Sequence, residues 1–237
     1  LKNCRFNLYM AGSGPYQGKG INFSDLQLSG LNTNIENLTI AGDIIGIDIR
    51  SLSFTEQSGF ALNRFRGYYE LGDTYMFFTD AQMQSANSDL DLEKVSLKFS
   101  DYNAFSTKYL YDSLDLELLI KPTLISIYDL GYFSDVFQGS KQKLNVKGDF
   151  YGTLASLKGR NMSLDWGRQS TMSGKFNISG LPDPDETFII FDLKELITTT
   201  RDITNFDLPG DQQLELPDQL SSLTNLKYQG NFTGFLN

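Results

Sequence analysis

Apolar and polar residues alternate along most of this chain with a period of two. Leu144, Val146, Gly148 and Phe150 share one parity, and Asn145, Lys147 and Asp149 share the other. A strand points successive side chains to opposite faces, so this stretch has one oily face and one wet face. Met162, Leu164 and Trp166 repeat the pattern against Ser163 and Asp165. Gly174, Phe176 and Ile178 repeat it against Lys175 and Asn177. Earlier, Ile45, Ile47 and Ile49 alternate with Asp48 and Arg50, and Leu114, Leu116, Leu118 and Ile120 alternate with Asp115 and Glu117. Lys121-Pro122 is expected to stop that last strand. Phe6, Leu8 and Met10 predict a strand before a Gly12-Ser-Gly-Pro15 turn.

The alternation slips in places. Leu52 and Phe54 have the opposite parity to Ile49, which predicts a bulge near Arg50–Ser51. Leu90 and Leu92 slip against Val95 and Leu97 in the same way. Residues 60–88 are dense in aromatics and read as two or three short strands. Phe188-Ile-Ile-Phe191 shows no alternation, so a strand covered on both faces is expected there. Two or three short helices are expected. Ser126 to Phe137 carries Ile127, Leu130, Phe133 and Phe137 at helical spacing, with Ser126 or Asp129 as N-cap. The other two are at Thr198 to Asn205 and from Pro217 to Leu220. At about 13 residues per strand and turn, the chain predicts about 18 strands and a body about 85 Å long.

A motif recurs. Leu144-x-Val-x-Gly148-Asp-Phe150-x-Gly152 returns as Leu226-x-Tyr-x-Gly230-Asn-Phe232-x-Gly234, with Gly174-Lys-Phe176 as a shorter copy. Such self-similarity suggests an array in which each unit stacks on the next.

Composition narrows the chemistry. The 237 residues include no histidine, and their formal net charge is −9. Nucleic acid is therefore not an expected partner. The commonest general base and metal ligand is missing. One cysteine, Cys4, permits neither an intrachain disulfide nor a zinc site built on several thiolates. Asp183-Pro-Asp185-Glu186 and Asp89-x-Asp91-x-Glu93 are the best acidic clusters, but neither has the glycine-centred spacing of a calcium loop. No nucleophile elbow is present. No enzyme activity and no cofactor is expected. No apolar run is long enough to span a bilayer. Leu1 is not a natural start, and an excised fragment of a longer protein is expected.

Asp129-Leu-Gly-Tyr-Phe133, Gly148-Asp-Phe-Tyr-Gly152, Gly180-Leu-Pro-Asp183, Thr198-Thr-Thr-Arg-Asp202 and Gly230-Asn-Phe-Thr-Gly234 occur in that order, with Pro217 between the last two. Over residues 40–237 this resembles the TamB / AsmA-like family of Gram-negative envelope proteins. The resemblance implies an all-β fold: an elongated sheet curled lengthwise into an apolar-lined groove, with two or three short helices. Residues 1–237 would form one continuous β-groove segment. It also implies a periplasmic location, an inner-membrane anchor outside this chain, and contact with an outer-membrane β-barrel of the BamA type through parts not present here. The cargo implied is phospholipid, carried between membranes in support of outer-membrane biogenesis.

The parity of the residues then selects a lining. Ile45, Ile47, Ile49, Leu114, Leu116, Leu118, Leu144, Val146, Phe150, Leu164, Trp166, Phe176 and Ile178 are expected to face one concavity. Asn145, Lys147, Asp165, Lys175 and Asn177 are expected outside. Keeping an acyl chain of about 16 carbons out of water is worth on the order of 10 kcal/mol. Two other readings stay open: an extracellular β-solenoid or β-sandwich adhesin or glycan-binding module, and a parallel β-helix enzyme using carboxylates.

Overall fold

The computed structural model describes residues 1–9, 19–101, 104, 110–181, 183, 185–206 and 224–235. Twelve strands run in chain order: β1 Cys4–Tyr9, β2 Asp25–Ala41, β3 Ile44–Glu56, β4 Ala61–Gly72, β5 Tyr75–Ser85, β6 Asp89–Lys98, β7 Asp115–Ser126, β8 Lys143–Thr153, β9 Ser156–Trp166, β10 Ser170–Ser179, β11 Phe188–Thr199 and β12 Asn225–Phe235. Each pairs antiparallel with its neighbours in sequence, and the single sheet does not close into a barrel. The fold is all-β, as the alternation predicts. The parallel β-helix reading is overturned by the antiparallel pairing.

Among the described residues there are twelve strands rather than about 18, and eleven spacings of about 4.8 Å make the sheet about 53 Å across. The difference lies in the parity slips. Segments that read as two short strands are single strands of up to 17 residues bent at a bulge. β3 shifts register between Ile49 and Leu52, at the place the parity indicates. β6 shifts between Leu92 and Lys94. β7 does not stop at Lys121-Pro122 but passes through it, with the proline in a bulge between Ile120 and Thr123. A bulge is where a sheet tolerates a residue with no N–H to donate.

These irregularities line up across the sheet. Register pairing leads from Ile49–Leu52 to Arg66–Tyr68, Leu92–Lys94, Ile120–Thr123, Lys147–Asp149, Gly174 and Leu193–Leu196. Asp80 and Asn161, at φ 49° each, occupy the same level in β5 and β9. A bulge bends the strand that carries it. A row of them creases the sheet along the direction in which the strands stack. Phe65 and Phe78 stand on opposite sides of this crease, and their rings meet edge to face at 5.9 Å on the apolar face.

Helices are few. They are α1 Leu110–Ser113, α2 Ile127–Leu130 and α3 Thr200–Thr204, with a 3-10 turn at Asp135–Phe137. The expected helix from 126 to 137 keeps only its first turn, because the chain leaves it at Gly131 to carry Tyr132 and Phe133 onto Phe60. The expected helix at 198–205 is α3. The Gly12–Pro15 turn and the Pro217 helix lie outside the described residues. The aromatic stretch at 60–88 forms two long strands, β4 and β5.

Phe188–Phe191 is not covered on both faces. Ile190 is 38% exposed on the outer side, where no second layer packs among the described residues. Two small closed clusters sit at opposite strand ends. Ile21, Phe60 and Leu62 gather Leu52, Phe54, Phe65, Met83 and Tyr132 at one end. Phe99, Ala104 and Leu114 gather Met76 at the other.

Candidate functional site

One face of the sheet is continuously apolar. In register across the strands run Ile47, Tyr69, Phe78, Val95, Leu118, Phe150, Gly159, Phe176, Phe191 and Phe232. The row one residue away, on the other face, reads Asp48, Tyr68, Thr79, Lys94, Leu119, Asp149 and Arg160. Outer charges pair across strands, as in Lys94–Glu117 at 2.6 Å, Lys175–Asp192 at 2.9 Å and Lys227–Glu195 at 2.9 Å. Being exposed, such pairs add little stability. Their consequence is a wet outer face.

Of the thirteen expected lining residues, twelve share the apolar face by register. Leu114 lies just before β7 and is enclosed with Phe99 and Ala104. Asn145, Lys147, Asp165, Lys175 and Asn177 are exposed on the opposite face. The apolar face is not a packed core. Among the described residues the only hydrophobic side chains buried within strands on that face are those of Leu62, Ala81, Met162, Phe176 and Leu193. Ile45, Ile47, Leu116, Leu118, Val146, Leu164, Trp166 and Ile178 stay half-buried, and at the sheet's two ends Ile40 is 69% and Phe232 55% exposed.

Two glycines on this face, Gly159 and Gly148, have a structural reason. A Cβ on Gly159 would stand 2.3 Å from the ring of Phe176, and one on Gly148 would stand 3.2 Å from the ring of Phe150. The rings of Phe150 and Phe176 reach toward each other above Gly159, their centroids 6.0 Å apart, and Phe191 continues the row at 5.9 Å. Glycine at the crease lets an aromatic ring lie down over the backbone. The result is a smooth apolar surface along the bend.

Three carboxylates are buried at one rim: Glu56, which accepts from the Ser58 N–H and hydroxyl at the β3–β4 turn, and Asp129 and Asp202, which escape the sequence reading as a pair. Asp129, in α2, accepts from the hydroxyls of Ser85 and Ser88 and from Asn87 Nδ2 at 2.9 Å, all at the β5–β6 turn. Asp202, in α3, accepts from the Arg168 and Gln169 N–H groups and from Ser170 Oγ at 2.8 Å, at the β9–β10 turn. Each is 6% exposed. Burial pushes the Asp202 carboxyl up, but the donors around it outweigh this and hold it below the ordinary carboxylate range. Gly167 cannot be replaced there: its φ is +59° and a Cβ would sit 2.5 Å from Asp202 Cγ. The signal is visible in retrospect. Ser126-x-x-Asp129-x-x-x-Phe133 and Thr199-x-x-Asp202-x-x-x-Phe206 are the same motif.

Each motif delivers aromatics to the apolar face. Tyr132 and Phe133 pack on Phe60 at 5.5 and 5.2 Å, and Phe206 packs on Trp166 at 6.0 Å. The Tyr132 hydroxyl is pushed up to about 12 by its hydrogen bond with Tyr128 and by burial. Ile21 N–H donates to the Tyr132 carbonyl at 2.7 Å, tying in the end of the β1–β2 connection. A cavity of about 510 Å³ lies at this rim, lined by Lys19, Tyr128, Gly131, Tyr132, Asp135, Gln138 and Gly139.

The acidic clusters are ordinary surface. Asp91 faces Lys121 at 3.7 Å on the outer side, Glu93 is exposed in the β6 bulge, and Asp183 accepts from the Asp185 N–H in a turn. Among the described residues no group of three or more metal-ligating side chains converges. Comparison with protein-family models, curated proteins and solved structures finds no match to this chain.

Proposed function

We propose that this chain is a conduit segment whose apolar face carries phospholipid acyl chains. The observation that carries the reading is the unbroken apolar row from Ile47 to Phe232, half-open to solvent and backed by a polar outer face. A closed core would exclude a guest, whereas a half-buried apolar strip gains free energy when an acyl chain covers it. That gain is about 25 cal/mol per Å² removed from water. The crease supports the reading by turning a flat sheet into a trough without a second sheet. No polar chemistry is required, so the role is not enzymatic. On the resemblance to TamB / AsmA-like proteins, the setting is the periplasm, with an anchor in the inner membrane. The partner is an outer-membrane barrel of the BamA type reached by other parts of the protein, and the task is lipid movement in outer-membrane biogenesis.

The test is gentle purification, organic extraction and mass spectrometry of bound lipid, for the parent and for Val146→Asp and Ile178→Asp. A carboxylate placed among apolar side chains costs several kcal/mol unless water enters. Phospholipid in the parent that is lost from a folded variant is the expected outcome. A parent that carries none under any condition overturns the proposal and leaves a glycan- or protein-binding module in front.

A further inference from the structure

The two buried aspartates suggest more than stabilisation of turns. They repeat one device at one rim, with the same spacing of cap, carboxylate and aromatic, and both deliver an aromatic side chain onto the apolar face. We propose that residues 127–133 and 200–206 are two straps, latched by Asp129 and Asp202, that open as local units and gate entry to that face. That the gated guest is a phospholipid rests on the function proposed above; the latching itself does not.

The geometry carries this in three steps. First, the straps are joined to the sheet mainly through side chains rather than a strand ladder. Asp129 binds Ser85, Ser88 and Asn87, and Asp202 binds Ser170 and the Arg168 and Gln169 N–H groups. A segment so held can detach without unpairing strands, which is what separates a low-stability local unit from the sheet. Second, what each strap covers is apolar. Tyr132 and Phe133 close over Phe60, and Phe206 closes over Trp166. Phe133 is itself 50% exposed, so its ring is only partly spent on the contact. Third, the straps clasp the β5–β6 and β9–β10 turns, four strands apart, which is about 19 Å. Between them, at the same rim, lies the rest of the β7–β8 connection, residues 134–142, so each strap is a separate latch on its own turn.

Asp129 and Asp202 are positioning residues, and hydrogen exchange reads their role independently of any lipid. In Asp129→Asn, amides of 127–133 are expected to exchange at least tenfold faster, with 200–206 and β8–β9 unchanged. Asp202→Asn is expected to do the reverse. Asn87→Ala removes one of the three donors to Asp129 and gives a smaller rise in the same segment, which guards against a variant that simply fails to fold.

The second arm measures uptake of an NBD-labelled phospholipid from phosphatidylcholine vesicles. Asp129→Asn should raise the initial rate severalfold. A Phe60→Cys, Phe133→Cys pair in a Cys4→Ser background, joined by a short bifunctional thiol reagent, should lower it at least tenfold. Strap amides that exchange only together with β8–β9 in every variant would overturn the latch. A joined strap that leaves lipid uptake unchanged would overturn the gate. If strap exchange responds as expected but no form takes up lipid, the latch stands, and what fails is the proposed cargo and with it the gating of lipid.

Discussion

Replacing Gly159 with alanine separates the crease geometry from ordinary strand propensity, because the two predict opposite signs. Gly159 is buried in β9 with no left-handed backbone to preserve. On propensity alone, alanine in a strand interior gains about 0.5–1 kcal/mol over glycine. In the structure the new methyl would lie 2.3 Å from Phe176 Cε1, 2.7 Å from Cδ1 and 2.8 Å from Cζ. The ring has to leave. Phe176 is 8% exposed and touches Phe150 and Phe191. Re-exposing much of it costs about 1.5–3 kcal/mol, and the two ring contacts add about 0.5–1.5 kcal/mol each. Set against the propensity gain, the net loss is about 1.5–5.5 kcal/mol. Urea denaturation followed by the fluorescence of Trp166, the single tryptophan and in the same strand, measures it. The same substitution in a Phe176→Leu background should cost less by about 1 kcal/mol or more, since the clashing ring is gone. An alanine variant as stable as the parent, or an equal loss in both backgrounds, would refute the claim that glycine is there to receive the ring.

Asp202→Ala strands the Arg168 and Gln169 N–H groups and leaves the Ser170 hydroxyl only Thr198 Oγ1 as partner, and should destabilise the α3 region by about 2–4 kcal/mol, read by exchange of its amides. Because the folded Asp202 carboxyl is held below its ordinary range, the stability it contributes is present above that range and is lost as pH falls through the depressed value. Exchange of 200–206 should therefore accelerate in acid, and Asp202→Asn should abolish that dependence. Tyr68 and Tyr75 both donate to Glu70, at 2.7 and 2.8 Å, and both hydroxyls are held above the usual tyrosine range by that hydrogen bond. The stabilising bonds persist below the ordinary tyrosine pKa and fail as pH rises through the raised one; ultraviolet titration should show two late tyrosines that return to normal in Glu70→Gln. Among the described residues β1 faces only Leu1–Tyr9 onto β2 as far as Thr33, leaving Asn34–Ala41 as an open edge with Ile35 48% and Ile40 69% exposed. An unprotected apolar edge invites pairing, so light scattering should show concentration-dependent association that Ile40→Lys reduces.

The period-two alternation by itself determined the fold class and which residues share a face. Parity is a local property: once a strand forms, Val146 and Lys147 must point apart whatever surrounds them. The slips at Arg50–Ser51 and between Leu92 and Val95 were equally legible as bulges. What only tertiary structure decided is that the bulges fall at one level on neighbouring strands, because register depends on pairing between segments far apart in sequence. That alignment turns separate kinks into a crease. It also explains why Lys121-Pro122 continues β7 instead of ending it, and why the strands are fewer and longer than the short runs suggest. The role of Gly159 likewise needed a neighbour: the ring above it comes from Phe176 on the next strand. Asp129 looked like a helix cap in sequence and Asp202 like part of a short polar helix, and their burial is set by serines 41 and 32 residues away that only the folded sheet brings within hydrogen-bond reach.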